Sequence, residues 1–307
     1  MKIPKNYLLL GILIALVAVS WILGRSGDSK SPSQQVEKDL FAISDPSLVS
    51  RIILTSSKDS VVLAQEEGSW HVNSRYPADV NNLNLLLSVL QQVEVYRPIA
   101  RRLRDEWWDR LQDKGTQVAI FSDGQLMSTF IAGGEPTQSN SYFADPETQT
   151  IYQVRLPGYN TYLSEIFEQP ENHWRDRRVF TTTWQTLDKI STDYSLNPSK
   201  NFEILLQGNT YLVPGVNRID TAKLFSFLDG ITYLQLSEYV DTVIAVDPRL
   251  TVEVQDIDPS KSRELVIYPQ AKGTANYYCK LDDEWVTIRS ELVAPLLLEK
   301  SELIATE

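Results

Sequence analysis

Cysteine and histidine are almost missing from this chain. The single cysteine, Cys279, can close no internal disulfide and build no cysteine-rich zinc site. It lies in a strand-like run beside Tyr277 and Tyr278, where a small buried apolar residue is expected. The two histidines, His71 and His173, are far apart and belong to no ligand motif, so metal- or histidine-based catalysis is not expected. GxSxG, HExxH, Walker A and Rossmann signatures are also absent. Gly133-Gly134 is followed by no Lys-Ser or Lys-Thr, and Ala132–Pro136 reads as a loop. Acidic groups such as Glu66-Glu67 and Asp282-Asp283-Glu284 read as solvated turns, not as the facing carboxylates of a glycosidase. The expectation is a protein without catalytic, cofactor or metal sites.

Positive charge is in deficit as well. With 29 basic against 40 acidic residues the net charge is −11, which argues against nucleic acid as a partner. Hydrophobic residues make up 42% and charged residues 22%, a balance that belongs to folded chains, and 307 residues suffice for two ordinary domains.

One long apolar run is present. Tyr7–Leu23 carries no charge and as a helix would span about 26 Å, at the short end for a bilayer core. Lys2 and Lys5 before it favour a short cytoplasmic N-terminus over residues 1–6. A cleaved secretory signal is the rival reading, with Ala18 and Ser20 as small residues at a cleavage site. Trp21 at the far interface and the length of the run favour an uncleaved anchor. On either reading the folded part is exported. No cysteine ends the run, which excludes a lipoprotein. Residues 24–43 begin Gly/Ser/Pro-rich and polar and read as a flexible linker.

Two stretches then repeat one pattern, residues 44–168 and 181–307, separated by a seam at 169–180 that contains Trp174-Arg175-Asp176-Arg177-Arg178-Val179-Phe180. In the first, strand-like runs around Arg51–Leu54 and Val61–Ala64 lead to Gly68-Ser69-Trp70-His71-Val72. Ala78-Asp79 then opens a leucine-rich helix. In the second, Phe202–Leu206 and Gly208–Val213 precede Ile219-Asp220 and another apolar helix. Asp79, Leu83, Leu86, Leu87 and Leu90 align with Asp220, Leu224, Phe227, Leu228 and Ile231. Asp79 is the expected N-cap, with Val80, Leu83, Leu86, Leu87 and Leu90 on one face. A second helix is expected over Arg101–Leu111 and a short one over Tyr159–Phe167, with hairpins around Ser122-Asp123-Gly124 and Asp145-Pro146-Glu147. The fold class is therefore α+β: a transmembrane helix followed by two tandem units of antiparallel strands with packed helices.

The seam, the Gly68–Val72 segment and Pro77-Ala78-Asp79 together resemble the DUF4340 family of bacterial envelope proteins. In the second unit Tyr211 stands for the Trp and Ile219-Asp220 for Ala-Asp, so that copy is the more diverged. The resemblance implies a single-pass protein of the bacterial inner membrane with its bulk in the periplasm. It further implies an accessory or scaffolding subunit, anchored through residues 7–23, whose partners are ABC-type transport components like those of gliding-motility systems. No catalytic residues carry over.

Six residues are candidates for interaction or inter-unit contact: Trp107, Trp108, Trp174, Arg175, Arg177 and Arg178. Trp107-Trp108 is either a docking ridge or one core ring with a half-exposed neighbour. The seam arginines either fix an angle between units through local salt bridges or dock a partner. Seven Trp and 14 Tyr also leave room for a glycan- or peptide-binding envelope module, and an envelope hydrolase is the least supported alternative.

Overall fold

A computed structural model describes residues 37–208, 210–270 and 273–305. The Tyr7–Leu23 run lies outside the described residues, and among these no helix is long and apolar enough to cross a membrane.

The first half contains β1 (Arg51–Thr55), β2 (Ser60–Glu66), β3 (Ser69–Val72), β4 (Tyr76–Pro77), α1 (Val80–Gln92) and β5 (Glu94–Pro98). It continues with α2 (Arg104–Lys114), β6 (Thr116–Ser122), β7 (Gln125–Glu135), β8 (Asn140–Asp145) and β9 (Thr150–Arg155). The second half contains the single turn α3 (Glu171–Trp174), β10 (Leu187–Asp193), β11 (Glu203–Gln207), β12 (Thr210–Leu212) and α4 (Thr221–Thr232). After these come β13 (Glu238–Tyr239), β14 (Leu250–Asp256), β15 (Arg263–Ile267), β16 (Asn276–Leu281), β17 (Glu284–Arg289) and the turn α5 (Ser290–Val293). The class is α+β, with two antiparallel sheets and few helices.

The chain divides into two compact units. Unit 1 joins the described residues up to Ser60 to Asn84–Glu168; unit 2 joins Val61–Leu83 to the chain from Gln169 onward. Residues 61–83, which the repeat pattern assigns to the first copy, thus group with the second. The physical reason is backbone pairing: Asp79 N–H donates to Trp174 O at 2.7 Å, and Asp176 N–H donates to Pro77 O at 2.9 Å.

In unit 1 the strands run β1-β6-β7-β8-β9-β5. The β6–β7 hairpin closes through Asp123-Gly124, both at positive φ, as a two-residue hairpin turn requires. Phe130, Ile131 and Ala132 are consecutive and all buried, so the middle of β7 is covered on both faces. On one side Phe130 stacks on Phe143 at 4.5 Å, and Phe41 and Phe167 meet both rings edge-on. Phe41 and Ile43 are buried, so the core begins inside the segment read as a linker. On the other side α2 packs Trp107 and Leu111 against Ile131, Ala144 and Ile151.

Gly133 and Gly134 are not in a loop. They pair with Tyr142 and Ser141 within β7. A Cβ on Gly133 would meet Leu111 Cδ2 at 2.6 Å, and one on Gly134 would meet Asn140 O at 2.1 Å. Close approach of α2 and β8 requires both glycines. The short helix expected over Tyr159–Phe167 is a 3-10 turn at Leu163–Glu168.

In unit 2, β10-β14-β15-β16-β17-β13 repeat the unit 1 order, and β11-β12 answer the β2-β3 pair. Alternation along β14 places Leu250, Val252 and Val254 inward. They face a core that includes Leu224, Phe227, Leu228 and Ile231 of α4, as well as Val179 and Phe180. Asp79 and Asp220 cap α1 and α4 alike, each carboxylate accepting backbone N–H groups two and three residues on. The buried stripes differ. Leu228 is fully buried, whereas Leu87 is half-buried and Val80 is 58% exposed. The buried face of α1 follows Leu83, Leu86, Val89 and Leu90, about a quarter-turn from Leu87. In α4 the Ala294–Leu297 turn closes over the helix, tightly enough that a Cβ on Gly230 would sit 3.0 Å from Leu296 and Pro295.

Candidate functional site

Pro170 ends the approach to α3, a single turn that delivers Trp174 and leaves the following residues extended. Trp174 is 1% exposed; its Nε1–H donates to Gln169 O at 3.4 Å and its ring meets His173 edge-on. From here the chain runs antiparallel to 77–79, with Ala78 bridged to Arg175. Side chains reinforce the pairing: Asn82 Nδ2 donates to His173 O at 2.8 Å, and Asn73 Nδ2 donates to Glu171. Two of the segments that carry the family resemblance, Pro77-Ala78-Asp79 and the seam, are therefore direct partners.

Arg175 is the centre of this arrangement. It is only 5% exposed, and its guanidinium carbon lies 3.4 Å from the Tyr76 ring centroid and 3.7 Å from that of Tyr239. Its two terminal nitrogens donate to the Glu284 carboxylate, and Nη1 also reaches Asn172 Oδ1 at 3.4 Å. Tyr76 donates its hydroxyl to Glu284 at 3.2 Å, and Tyr239 donates to Asp176 O at 3.4 Å. Burial, then the Glu284 carboxylate, raise the Tyr76 pKa; burial is the largest cause at Tyr239 as well. Both phenols therefore stay protonated at neutral pH and act as donors. Arg175 Nε is buried with no hydrogen-bond partner.

Beside this stack is a cleft of about 190 Å3, whose walls include Arg75, Arg175, Arg178 and Arg263. Arg178 is clamped by Asp176, whose carboxylate accepts from Nε at 3.0 Å and Nη2 at 2.6 Å. Arg177 is half-buried; its carbonyl accepts from Leu236 N–H at 2.9 Å, and its side chain lines neighbouring grooves with Gln235 and with His173 and Tyr239. Unit 2 thus gathers four of the six candidates: Trp174, Arg175, Arg177 and Arg178. Trp107 and Trp108 belong to unit 1, where Trp107 packs on Tyr142 at 4.2 Å under Arg110, and Trp108 is half-buried.

Sequence reading missed Tyr76, Tyr239, Arg75, Arg263 and Glu284. Glu284 was hidden in an acidic triplet that reads as a solvated turn, and its arginine is 109 residues away. Tyr76 stands next to the Pro77-Ala78-Asp79 motif, the one local signal that could have drawn notice.

Chemically, the site offers fixed cations, protonated phenols and two committed carboxylates, Glu284 and Asp176, which suits holding and positioning. Among the described residues no group of His, Cys, Asp and Glu is placed to hold a metal ion. Fold and site define an α+β protein of two sheet-based units with an arginine-lined cleft in the second. The family described as a domain of unknown function (DUF4340) matches residues 70–253, more than half of the chain, and the chain belongs to that family. No curated protein and no solved structure matches it.

Proposed function

We propose that this chain is a membrane-anchored, extracytoplasmic accessory or scaffolding subunit of an ABC-type transport or gliding-motility-like envelope system, and not an enzyme. Residues 7–23 would hold it in the inner membrane, with the two units on the periplasmic side. The observation that carries the reading is how the seam's polar residues are used. Arg175 is committed to Glu284 and two tyrosine rings, and Arg178 to Asp176, so the charged chemistry of the motif maintains a fixed shape. A shape held this way suits assembly with other subunits. The test is crosslinking and co-purification from native membranes, with identification of the associated proteins. Transport ATPase components among them support the proposal; a free soluble population with hydrolytic activity overturns it. The glycan- or peptide-binding reading draws its own support from the arginine-lined cleft.

A further inference from the structure

The cleft in unit 2 collects four guanidinium groups in a chain whose net charge is −11. Two of the four are neutralised locally. Arg175 pairs with Glu284 and Arg178 with Asp176. The other two are not: among the described residues neither Arg75 nor Arg263 forms an ion pair. Arg75 is exposed and stacks over Tyr76 at 4.7 Å; Arg263 is half-buried and spends one terminal nitrogen on Val179 O at 3.3 Å. Asp282, the remaining acid of the lining, is exposed and pairs with neither. Thr181 lines the same wall.

We propose that this cleft is a binding site for an oxyanion, the carboxylate or phosphate group of a small ligand. Guanidinium groups outside any ion pair can match both groups through N–H···O contacts, and an anion entering beside them supplies the partner they lack. About 190 Å3 accommodates such a head group with a few attached atoms. The Tyr76–Arg175–Tyr239 stack lines the same cleft, and Glu284 already occupies the Arg175 fork, which leaves Arg75 and Arg263 to meet the ligand. This inference does not rest on the scaffolding reading.

The test is titration calorimetry on the purified full-length protein with sodium phosphate and with succinate, each against sodium chloride at equal ionic strength. Saturable binding of phosphate or succinate is expected, and whichever binds identifies the head group. The double variant Arg75→Gln/Arg263→Gln should bind at least about tenfold more weakly. No binding beyond chloride overturns the proposal, as does unchanged affinity in the variant. Should the double variant fold poorly, Arg75→Gln alone carries the test. Its side chain is exposed, so the fold should persist, and the affinity must still fall about threefold or more.

Discussion

The guanidinium of Arg175 lies 3.4 Å from the Tyr76 ring centroid, and the Tyr76 hydroxyl donates to the same Glu284 carboxylate that Arg175 engages. Three residues from distant parts of the chain thus satisfy one another. Removing a partner from a buried pair leaves an uncompensated charge, which is more damaging than never having the pair. Glu284 is 41% exposed at the side chain, so water tempers its loss. Glu284→Gln should destabilise by about 1–3 kcal/mol and Arg175→Ala by about 3–5 kcal/mol. Arg175→Lys should recover less than half, because an ammonium has neither the fork nor the flat face. Urea unfolding midpoints check this; near-neutral values for both Glu284→Gln and Arg175→Ala would discard the clamp.

Leu87 and Leu228 align in the repeat, yet only Leu228 is fully buried. Leu228→Ala should cost about 2–5 kcal/mol, whereas Leu87→Ala should cost well under half of that. Equal losses measured by chemical denaturation would mean that α1 is buried on a wider face than its exposed Val80 indicates.

These two helices mark where local sequence sufficed. Period-3.6 leucines behind an Asp cap are a local signal, and both helices form where the pattern places them. What a helix wheel cannot carry is the cover above it, and so Leu87 was misjudged. The glycine pair failed for a similar reason. Its role is set by Leu111 and Asn140 approaching from elsewhere, while glycine taken alone suggests a turn. The seam's tryptophan and arginines were legible as important. Their partners were not, because Tyr76 and Glu284 are 208 residues apart and no spacing rule links them.

Asp256, at the end of β14, predicts an acid-sensitive step. Burial pushes its pKa up, but hydrogen bonds from the Thr182 and Thr186 hydroxyls and from Asp258 N–H outweigh that and hold it below the usual carboxylate value. A depressed folded-state pKa contributes stability that is full above the unfolded value of about 3.9 and lost as pH falls through the folded value. Asp256→Asn should therefore be less stable than the native chain at pH 7. The gap should close as pH drops below about 4. Melting curves across pH 2.5–7 would show it; a gap independent of pH would mean that the carboxylate's charge is irrelevant to the two threonines.

The uncharged Tyr7–Leu23 run predicts topology. If the run is the proposed anchor, with Lys2 and Lys5 before it, a C-terminal alkaline phosphatase fusion should be active and a C-terminal green fluorescent protein fusion dark. The opposite pattern rejects the orientation. Mature protein starting near Trp21 keeps the orientation but rejects the anchor.

Trp174 tests whether the seam is structural. Its ring is 1% exposed, and its own carbonyl together with the Asp176 N–H holds residues 77–79 through the hydrogen bonds to Asp79 and Pro77. Trp174→Ala should cost about 3–5 kcal/mol, because a cavity of that size cannot collapse around paired backbone. The loss should be local before it is global. With the ring gone, the Ala78–Arg175 pairing loosens, and limited proteolysis should cut between residues 168 and 183 at protease levels that leave the native chain intact. Arg175→Ala should produce the same nick by removing the clamp next door, which ties the two side chains to one unit of structure. If Trp174→Ala instead melts and digests like the native protein but loses co-purification with the proposed membrane partners, the ring is a docking residue. Its burial in the isolated chain would then be a resting state that binding opens, and the seam would be the interface itself.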